Sequence, residues 1–209
     1  MEPARDSSAR DADPNVMLRQ LTAEQFLDER FELPDGGQWA ELVEGIPILL
    51  QPPDLDHGTT VLNLSKALAE YIERTERGYA CFDLGLHLTQ SPDTLRFPAA
   101  CYFVEGERFA ESDKAYTRTR PVLVIEMAST ADRRRQMTER VEAYLAWGVP
   151  TVWVIDQAER CLHVCSASRQ TAVYTEDETL AADSPLDGLR LTIADLFVEP
   201  AWWNKRPGG

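Results

Sequence analysis

The sequence lacks the short motifs that mark several large enzyme classes. It has no glycine-rich phosphate loop and no Gly-x-Ser-x-Gly element, and its three histidines, His57, His87 and His163, fall in separate predicted elements. A phosphate loop needs closely spaced glycines, and the nucleophile of a serine hydrolase needs a base brought to it by the fold. The sequence therefore offers no P-loop and no candidate Ser–His–Asp triad.

Positive charge is also scarce. The chain has 21 Lys and Arg against 35 Asp and Glu, a formal net charge of -14. Because contact with a polyanion needs positive potential, any nucleic-acid site must be a local basic patch. The candidate segment is 114–140, which contains seven basic and three acidic residues and so has an excess of four positive charges. The basic residues are Lys114, Arg118, Arg120, Arg133, Arg134, Arg135 and Arg140; the acidic ones are Glu126, Asp132 and Glu139.

Long apolar runs and clustered cysteines are missing as well. No stretch resembles a secretory leader or the roughly 18 apolar residues of a membrane span. Cys161, His163 and Cys165 alternate along one predicted strand, but this spacing matches no usual zinc site, so we expect ordinary strand packing there. We predict a reduced, cytoplasmic protein.

The length and composition predict one domain. With 209 residues and 44% hydrophobic content, the chain can bury a single core. Residues 1–17 are small and charged and predict a disordered tail. We expect the domain to cover 18–199 and a C-terminal tail to cover 200–209, where Trp202 and Trp203 could serve the interface of a homodimer.

Hydrophobic periodicity predicts an α/β fold. Helices are expected from about Thr22, where Gln25 completes a capping box, from His57 to Thr75 and from Asp132 to Trp147, with Gly148 ending the last. Strands are expected over 39–44, 46–50, 79–89, 94–104, 121–127, 151–156, 162–166 and 172–175. The runs 79–89 and 94–104 flank a turn and predict a hairpin. This order indicates a mixed central sheet flanked by helices.

Glu126 is the most unusual residue of the predicted sheet. It is the one charge in an apolar run typical of a central strand, and an unpaired buried carboxylate costs several kcal/mol. Either a metal ion or an arginine must meet it. Arg140 lies on or beside the apolar stripe of the following helix and could direct its guanidinium towards Glu126, as a salt bridge or as a phosphate clamp.

Several segments together resemble a known family. They are Ala40–Gly45 (AELVEG), His57–Gly58, Arg96–Pro98 (RFP), Val124–Glu126 (VIE) and Glu142–Pro150 (EAYLAWGVP). The spacing of eighteen from Glu126 to Tyr144 fits the same pattern. Over about Leu21 to Phe197 the chain resembles the Uma-two family of restriction-endonuclease-like proteins, in the PD-(D/E)XK nuclease superfamily.

The resemblance implies a magnesium-dependent endodeoxyribonuclease that acts on DNA. In that superfamily an Asp on a hairpin strand and a Glu on the next strand hold Mg²⁺ or Mn²⁺, and a Lys helps to activate water or to neutralise the phosphate. Oxygen ligands suit a hard cation, and the metal lowers the pKa of the attacking water. Similar proteins pair their nuclease domains, so a homodimer is possible.

At two of the positions that match the family's functional residues, this chain has a different residue. The family Glu corresponds to Glu126, an earlier strand glutamate to Glu41 and the helix lysine to Arg140, whereas the metal-binding Asp expected after Pro98 is Ala99. Alanine has no ligand atom, so Mg²⁺ should bind far more weakly. Arginine keeps the charge but cannot exchange a proton near neutral pH. An impaired or inactive nuclease is the prediction.

Several alternatives stay open at this point. Ala99 is consistent with natural loss of activity or with a deliberate substitution. Another carboxylate, Glu41, Glu44 or Asp83, could replace the missing ligand, since the metal needs only oxygens. A dead nuclease fold could bind DNA or a partner protein, or Glu126 and Arg140 could form a buried pair in a fold with an unrelated role.

Overall fold

The fold is that of a computed structural model, which describes residues 20–181 and 186–201. The predicted tail 1–17 and the Trp202–Trp203 pair lie outside the described residues. The domain limits therefore stay a prediction.

Within the described residues, three α-helices form where the periodicity predicts them. They are α1 (Ala23–Glu29), α2 (Leu55–Thr75) and α3 (Ala131–Trp147). The capping box is confirmed: the Thr22 hydroxyl accepts the Gln25 backbone N–H, and the Gln25 side chain accepts the Thr22 N–H. Helix α3 ends at Gly148, whose φ of 106° is the left-handed conformation that glycine adopts without strain. None of the described helices has the length and apolar character to cross a membrane.

The strands form two large sheets and one small one. Strands β1 to β13 cover Ala40–Val43, Ile46–Leu49, Tyr79–Phe82, Gly85–Thr89, Thr94–Arg96, Ala100–Phe103, Tyr116–Thr117, Leu123–Met127, Thr151–Asp156, Cys161–Ser166, Arg169–Thr175, Thr179–Ala181 and Arg190–Thr192. One sheet has five strands in the order β2-β1-β5-β4-β7, and the other has six in the order β11-β10-β9-β8-β6-β3. Strands β12 and β13 pair separately.

The six-stranded sheet is mixed, because β8 and β9 run parallel while its other neighbours are antiparallel. The α/β class and the mixed sheet are thus confirmed. The division of the strands between two sheets was not predicted.

The hairpin expected between 79–89 and 94–104 is confirmed, but it is bent, and its two halves belong to different sheets. Strands β4 and β5 pair in the five-stranded sheet, whereas β3 and β6 pair in the six-stranded one. The first run breaks at Asp83, which has a φ of 53°, and the second at Phe97 and Pro98. Continuous strands were therefore the wrong prediction: each run bends and passes from one sheet to the other.

Strand β8 lies at the centre of the core. All five of its residues are buried. Leu123 and Ile125 face one apolar cluster, which also contains Leu64 and Leu68 of α2. Val124 faces the opposite cluster, which contains residues of α3. Alternation along a strand then directs Glu126 towards α3, where it meets Arg140 and Tyr144.

Candidate functional site

Three of the four residues predicted to form the site meet in the core. Arg140 projects from α3 between Glu126 on β8 and Glu41 on β1, and all three side chains are at most 1% exposed. Its Nε and Nη2 donate to Glu126 Oε1 at 2.9 and 2.6 Å. Its Nη1 and Nη2 donate to Glu41 Oε2 and Oε1 at 2.6 and 2.8 Å. Glu126 and Arg140 thus form a buried ion pair, and Glu41 shares the same guanidinium.

Glu41 has further donors from the segment before Ala99. Arg96 Nη1 lies 3.0 Å from Glu41 Oε2, and the backbone N–H of Phe97 donates to Glu41 Oε1 at 3.0 Å. Arg96 is itself buried, and its Nη2 reaches the exposed Glu139 at 3.0 Å. Both oxygens of Glu41 therefore accept charged hydrogen bonds.

The two carboxylate oxygens of Glu126 differ in the hydrogen bonds that they accept. Its Oε1 accepts a third hydrogen bond from the Tyr144 hydroxyl at 2.7 Å. Its Oε2 is buried without a hydrogen-bond partner among the described atoms, and Arg133 Nη1 lies 3.9 Å from it. Arg140, Glu41, Glu126, Arg96 and Tyr144 are called the Arg140 cluster below.

The charge states in the Arg140 cluster follow from burial and contact. Burial alone raises the pKa of Glu41, but Arg140, with help from Arg96 and Arg133, outweighs burial and brings that pKa to about 2. Burial lowers the pKa of Arg140, but Glu126 and Glu41 raise it well above its usual value. Burial, and then the charge of Glu126, raises the pKa of Tyr144. Glu41 and Arg140 are charged and Tyr144 is neutral across the physiological pH range.

Ala99, the fourth predicted residue, does not contribute to the Arg140 cluster. It is half-buried just before β6, and its methyl group packs against the apolar cluster on the α2 side of the sheet. Ala99 lies at a bend one residue before the Ala100–Ile125 pair, and its side chain faces α2, whereas that of Glu126 faces α3. The alanine side chain supplies no ligand to the cluster.

The residues present do not fit a divalent metal ion. Three of the four carboxylate oxygens of Glu41 and Glu126 already accept two or three hydrogen bonds each, mostly from guanidinium groups. A metal held by both carboxylates would have to displace Arg140 from at least one of them, which leaves a buried cation with fewer counter-charges. Glu44 and Asp83 are exposed, and residues 20–181 and 186–201 contain no group of three His, Cys, Asp or Glu side chains that could hold a metal.

The basic segment 114–140 contributes less surface charge than its composition suggests. Arg133 and Arg140 are buried at 6% and 0% exposure. Arg134 pairs with Asp156 at 2.9 Å, and Lys114 pairs with Glu111 at 2.9 Å. Arg118, Arg120 and Arg135 are exposed. Two of the seven basic residues that were predicted to contact a polyanion, Arg133 and Arg140, are therefore buried and cannot reach it.

Sequence reasoning missed the roles of Arg96 and Tyr144. Tyr144 follows Arg140 by four residues, which places both on one helix face, and that spacing could have identified it. Arg96 is distant in sequence from its partners and has no such local signal. The structure also joins His57 Nδ1 to Ser129 Oγ at 3.0 Å, near the beginnings of α2 and α3. Burial, and then the nearby Arg133, lowers the pKa of His57 to about 4.

Comparisons with known proteins agree with this fold. A sequence profile described as "Uma2: Putative restriction endonuclease" matches residues 24–194. The solved structure of "a putative nuclease belonging to DUF820" from Anabaena variabilis superposes with a TM-score of 0.68 and 22% sequence identity. That match covers 85% of this chain and 97% of the other. No curated protein sequence matches this chain.

Proposed function

Since the chain belongs to the Uma2, or Uma-two, family of restriction-endonuclease-like proteins, we propose that it is an endonuclease by descent that no longer hydrolyses phosphodiester bonds. The nuclease fold then serves as a binding module. The observation that carries this proposal is the buried Arg140 guanidinium, which occupies the carboxylates of Glu41 and Glu126 where a metal-dependent nuclease needs free oxygen ligands.

The chemistry of the Arg140 cluster argues against hydrolysis in two further ways. Glu41 has a pKa of about 2, so it is a poor base at neutral pH. Arg140 stays protonated and cannot activate water. The chain thus has carboxylates at family positions, but neither Glu41 nor Arg140 is suited to generate the nucleophile.

Cleavage and metal binding test the proposal together. Supercoiled plasmid is incubated with the chain, with Ala99→Asp and with Ala99→Asp/Arg140→Lys in Mg²⁺ and in Mn²⁺, while calorimetry measures metal binding to each protein. We expect the natural chain neither to bind metal nor to nick plasmid. The double variant should regain both, because it restores the ligand and replaces the bidentate arginine by a single ammonium group.

The matched control is Glu126→Gln, introduced into the natural chain and into the double variant. It separates nicking at this site from a contaminating nuclease, since only nicking at this site depends on the Glu126 carboxylate. Metal-dependent nicking by the natural chain that disappears in Glu126→Gln would overturn the proposal.

DNA is the partner that family membership favours for the binding module. The exposed residues Lys114, Arg118 and Arg120 lie close together in sequence around β7 and support contact with a phosphate backbone. The net charge of -14 argues that such binding is weak and strongly salt-dependent.

Fluorescence anisotropy with a labelled duplex at 50 and 200 mM salt measures this contact. Arg118→Glu/Arg120→Glu should abolish binding, whereas Lys66→Glu, an exposed change on α2, should have little effect. Absence of binding at low salt would contradict DNA as the partner and favour a protein partner instead.

A further inference from the structure

His87 lies in the five-stranded sheet directly behind the exposed Arg118. It belongs to β4 and is 3% exposed. Strand β7 pairs with β4, and this pairing brings Arg118, the residue after β7, to the imidazole. The Arg118 Nε–H donates to His87 Nδ1 at 3.1 Å. A buried histidine thus holds one of the cations that support contact with a phosphate backbone.

The tautomer of His87 follows from this contact. An arginine nitrogen can only donate, so His87 Nδ1 has to be without a proton to accept from it. The neutral ring then carries its proton on Nε2. That atom is buried, has no hydrogen-bond partner among the described atoms and lies 3.4 Å from Asp93 Oδ1. The hydrogen bond from Arg118 is therefore made only by the uncharged imidazole.

Asp93 is placed to receive the charged form of the ring. Burial raises the pKa of Asp93, but the backbone N–H groups of Ala23 and Ser91, together with His87, outweigh burial and lower it. The third group that faces the imidazole is Tyr116, whose ring centroid lies 5.6 Å from that of His87. The imidazole therefore has an anion on its Nε2 side and a cation on its Nδ1 side.

Arg118 is held in place by a second contact. In the amide orientation that satisfies both side chains, the Gln90 oxygen accepts from Arg118 Nη1 and Nη2 at 3.3 and 2.6 Å. His87 and Gln90 together bind three of the five N–H groups of the guanidinium, and two remain for a ligand. The concave surface in front of Arg118 is also lined by Lys114, Tyr116, Thr117 and Thr119. A fixed guanidinium with free donors at such a surface suits a phosphate oxygen.

We propose that His87 positions Arg118 for contact with a DNA phosphate and that protonation of His87 releases this contact. Histidine is the side chain that changes charge between about pH 5 and 8. A proton on Nδ1 removes the acceptor and sets two cations against each other across the 3.1 Å contact, while Nε2–H keeps Asp93 as its counter-charge. Arg118 then leaves the ring, and the phosphate contact loses its fixed geometry. The functional half of this inference rests on the proposed DNA contact, whereas the link between His87 and Arg118 does not.

Nuclear magnetic resonance of the full chain tests that link without DNA. The ring nitrogen signals report the tautomer and charge of His87, and the Arg118 Nε–H signal reports protection from exchange with water, compared with that of the exposed Arg120. At about pH 8 we expect the Nε2–H tautomer and a protected Arg118 Nε–H, and on acidification both should change at the same midpoint. His87→Asn keeps an acceptor near the Nδ1 position but cannot titrate, so protection should persist to about pH 5.5.

Three results would overturn the link. They are an Nδ1–H tautomer at about pH 8, an imidazole that stays neutral down to about pH 5, and an Arg118 signal that does not follow the titration of His87. All three are measured on the natural chain, so they decide the question even where His87→Asn folds poorly.

Fluorescence anisotropy with a labelled duplex tests the functional half. Arg118→Ala should weaken binding by about tenfold at pH 8 but by less than about twofold at pH 5.5, since a charged contact is lost only where His87 holds it. In the His87→Asn background the loss should be about tenfold at both pH values. Arg120→Ala is the matched control, because Arg120 lies over the Trp147 ring and its effect should not depend on His87.

The two measurements separate the two claims. If the His87 and Arg118 signals titrate together but the natural chain binds no DNA at pH 8, the phosphate contact and DNA as the partner are both wrong, and the link remains. If DNA binds and Arg118→Ala has the same effect at pH 8 and pH 5.5, the DNA contact stands and its control by His87 is wrong.

Discussion

Arg140 and Glu41 join the two large sheets of the molecule. Glu41 lies on β1 of the five-stranded sheet, and Glu126 lies on β8 of the six-stranded sheet. Arg140 projects from α3, which packs on the six-stranded sheet, and binds both carboxylates. The Arg140 guanidinium thus makes paired hydrogen bonds to one carboxylate from each sheet. Because these groups are buried, removing one leaves the others with unbalanced charge in the core.

Replacing the central cation should be strongly destabilising. Arg140→Met keeps much of the side-chain length but removes the guanidinium that two buried carboxylates share and leaves Glu41 with Arg96 alone, so we expect a loss of about 3 to 5 kcal/mol in the free energy of unfolding. Urea denaturation at pH 7, followed by circular dichroism, measures it. Arg135→Met, on the exposed side of the same helix, should change stability by less than about 0.5 kcal/mol. Equal effects at both positions would show that the Arg140 cluster does not stabilise the fold.

The two carboxylates bound by Arg96 should differ sharply in their contributions. Glu41 has a side chain 1% exposed, whereas that of Glu139 is 70% exposed, although both lie 3.0 Å from Arg96. Glu41→Gln should cost about 3 kcal/mol or more, because Arg140 and Arg96 lose a buried counter-charge. Glu139→Gln should cost less than about 1 kcal/mol, as is usual for exposed pairs. Thermal and urea unfolding of both variants compare them directly.

The Tyr144 hydroxyl should contribute through its single charged hydrogen bond. Tyr144→Phe removes the donor to Glu126 Oε1 without changing the packing of the ring, so a loss of about 1.5 to 3 kcal/mol is expected. Tyr174→Phe on β11 is the control, since that side chain is only partly buried. A loss no larger in Tyr144→Phe than in the control would mean that another donor replaces the hydroxyl.

Stability should fall in two steps on acidification. His57 has a pKa of about 4 in the fold against an ordinary value of 6.5, because burial and then Arg133 disfavour its charged form. Between these values the unfolded chain binds more protons, so stability falls as the pH decreases from 6.5 towards 4. Glu41, with a pKa of about 2 against 4.5, contributes stability that is present above pH 4.5 and lost as the pH decreases towards 2.

His57→Gln isolates the first step. This variant should show a flatter decrease in the free energy of unfolding between pH 6.5 and 4 than the natural chain, with the lower step unchanged. His163→Gln provides the comparison with another partly buried histidine. A proton-detected titration that places His57 near 6.5 in the folded chain would contradict this assignment.

The sequence predicts the local features of this fold well and the long-range ones poorly. The capping box at Thr22 and the glycine end of α3 depend on residues a few positions apart, so a pattern reveals them. The meeting of Arg140 with Glu126 was also accessible, because one strand and the next helix bring them together. Arg140 and Glu41 are 99 residues apart, and their contact depends on how two sheets assemble, for which no periodicity gives a signal.

The bends in the two strand runs were missed for the same reason. Residues 79–89 have continuous strand character and pair with the run 94–103 in one register, so only the placement of the two halves in different sheets reveals the break at Asp83. Ala99 was identified through family resemblance rather than through any property of alanine. The basic segment was overestimated because composition does not distinguish Arg133 and Arg140, which are buried, from the exposed residues beside them.

The Arg140 cluster bears on how such chains are interpreted in genomes. If Glu41 and Glu126 stabilise the tie between the sheets, selection for folding alone is enough to preserve both of them, with or without catalysis. A motif search that counts these glutamates would then not separate a nuclease from a protein that shares only its fold. The informative position is instead Ala99, whose side chain takes no part in the Arg140 cluster.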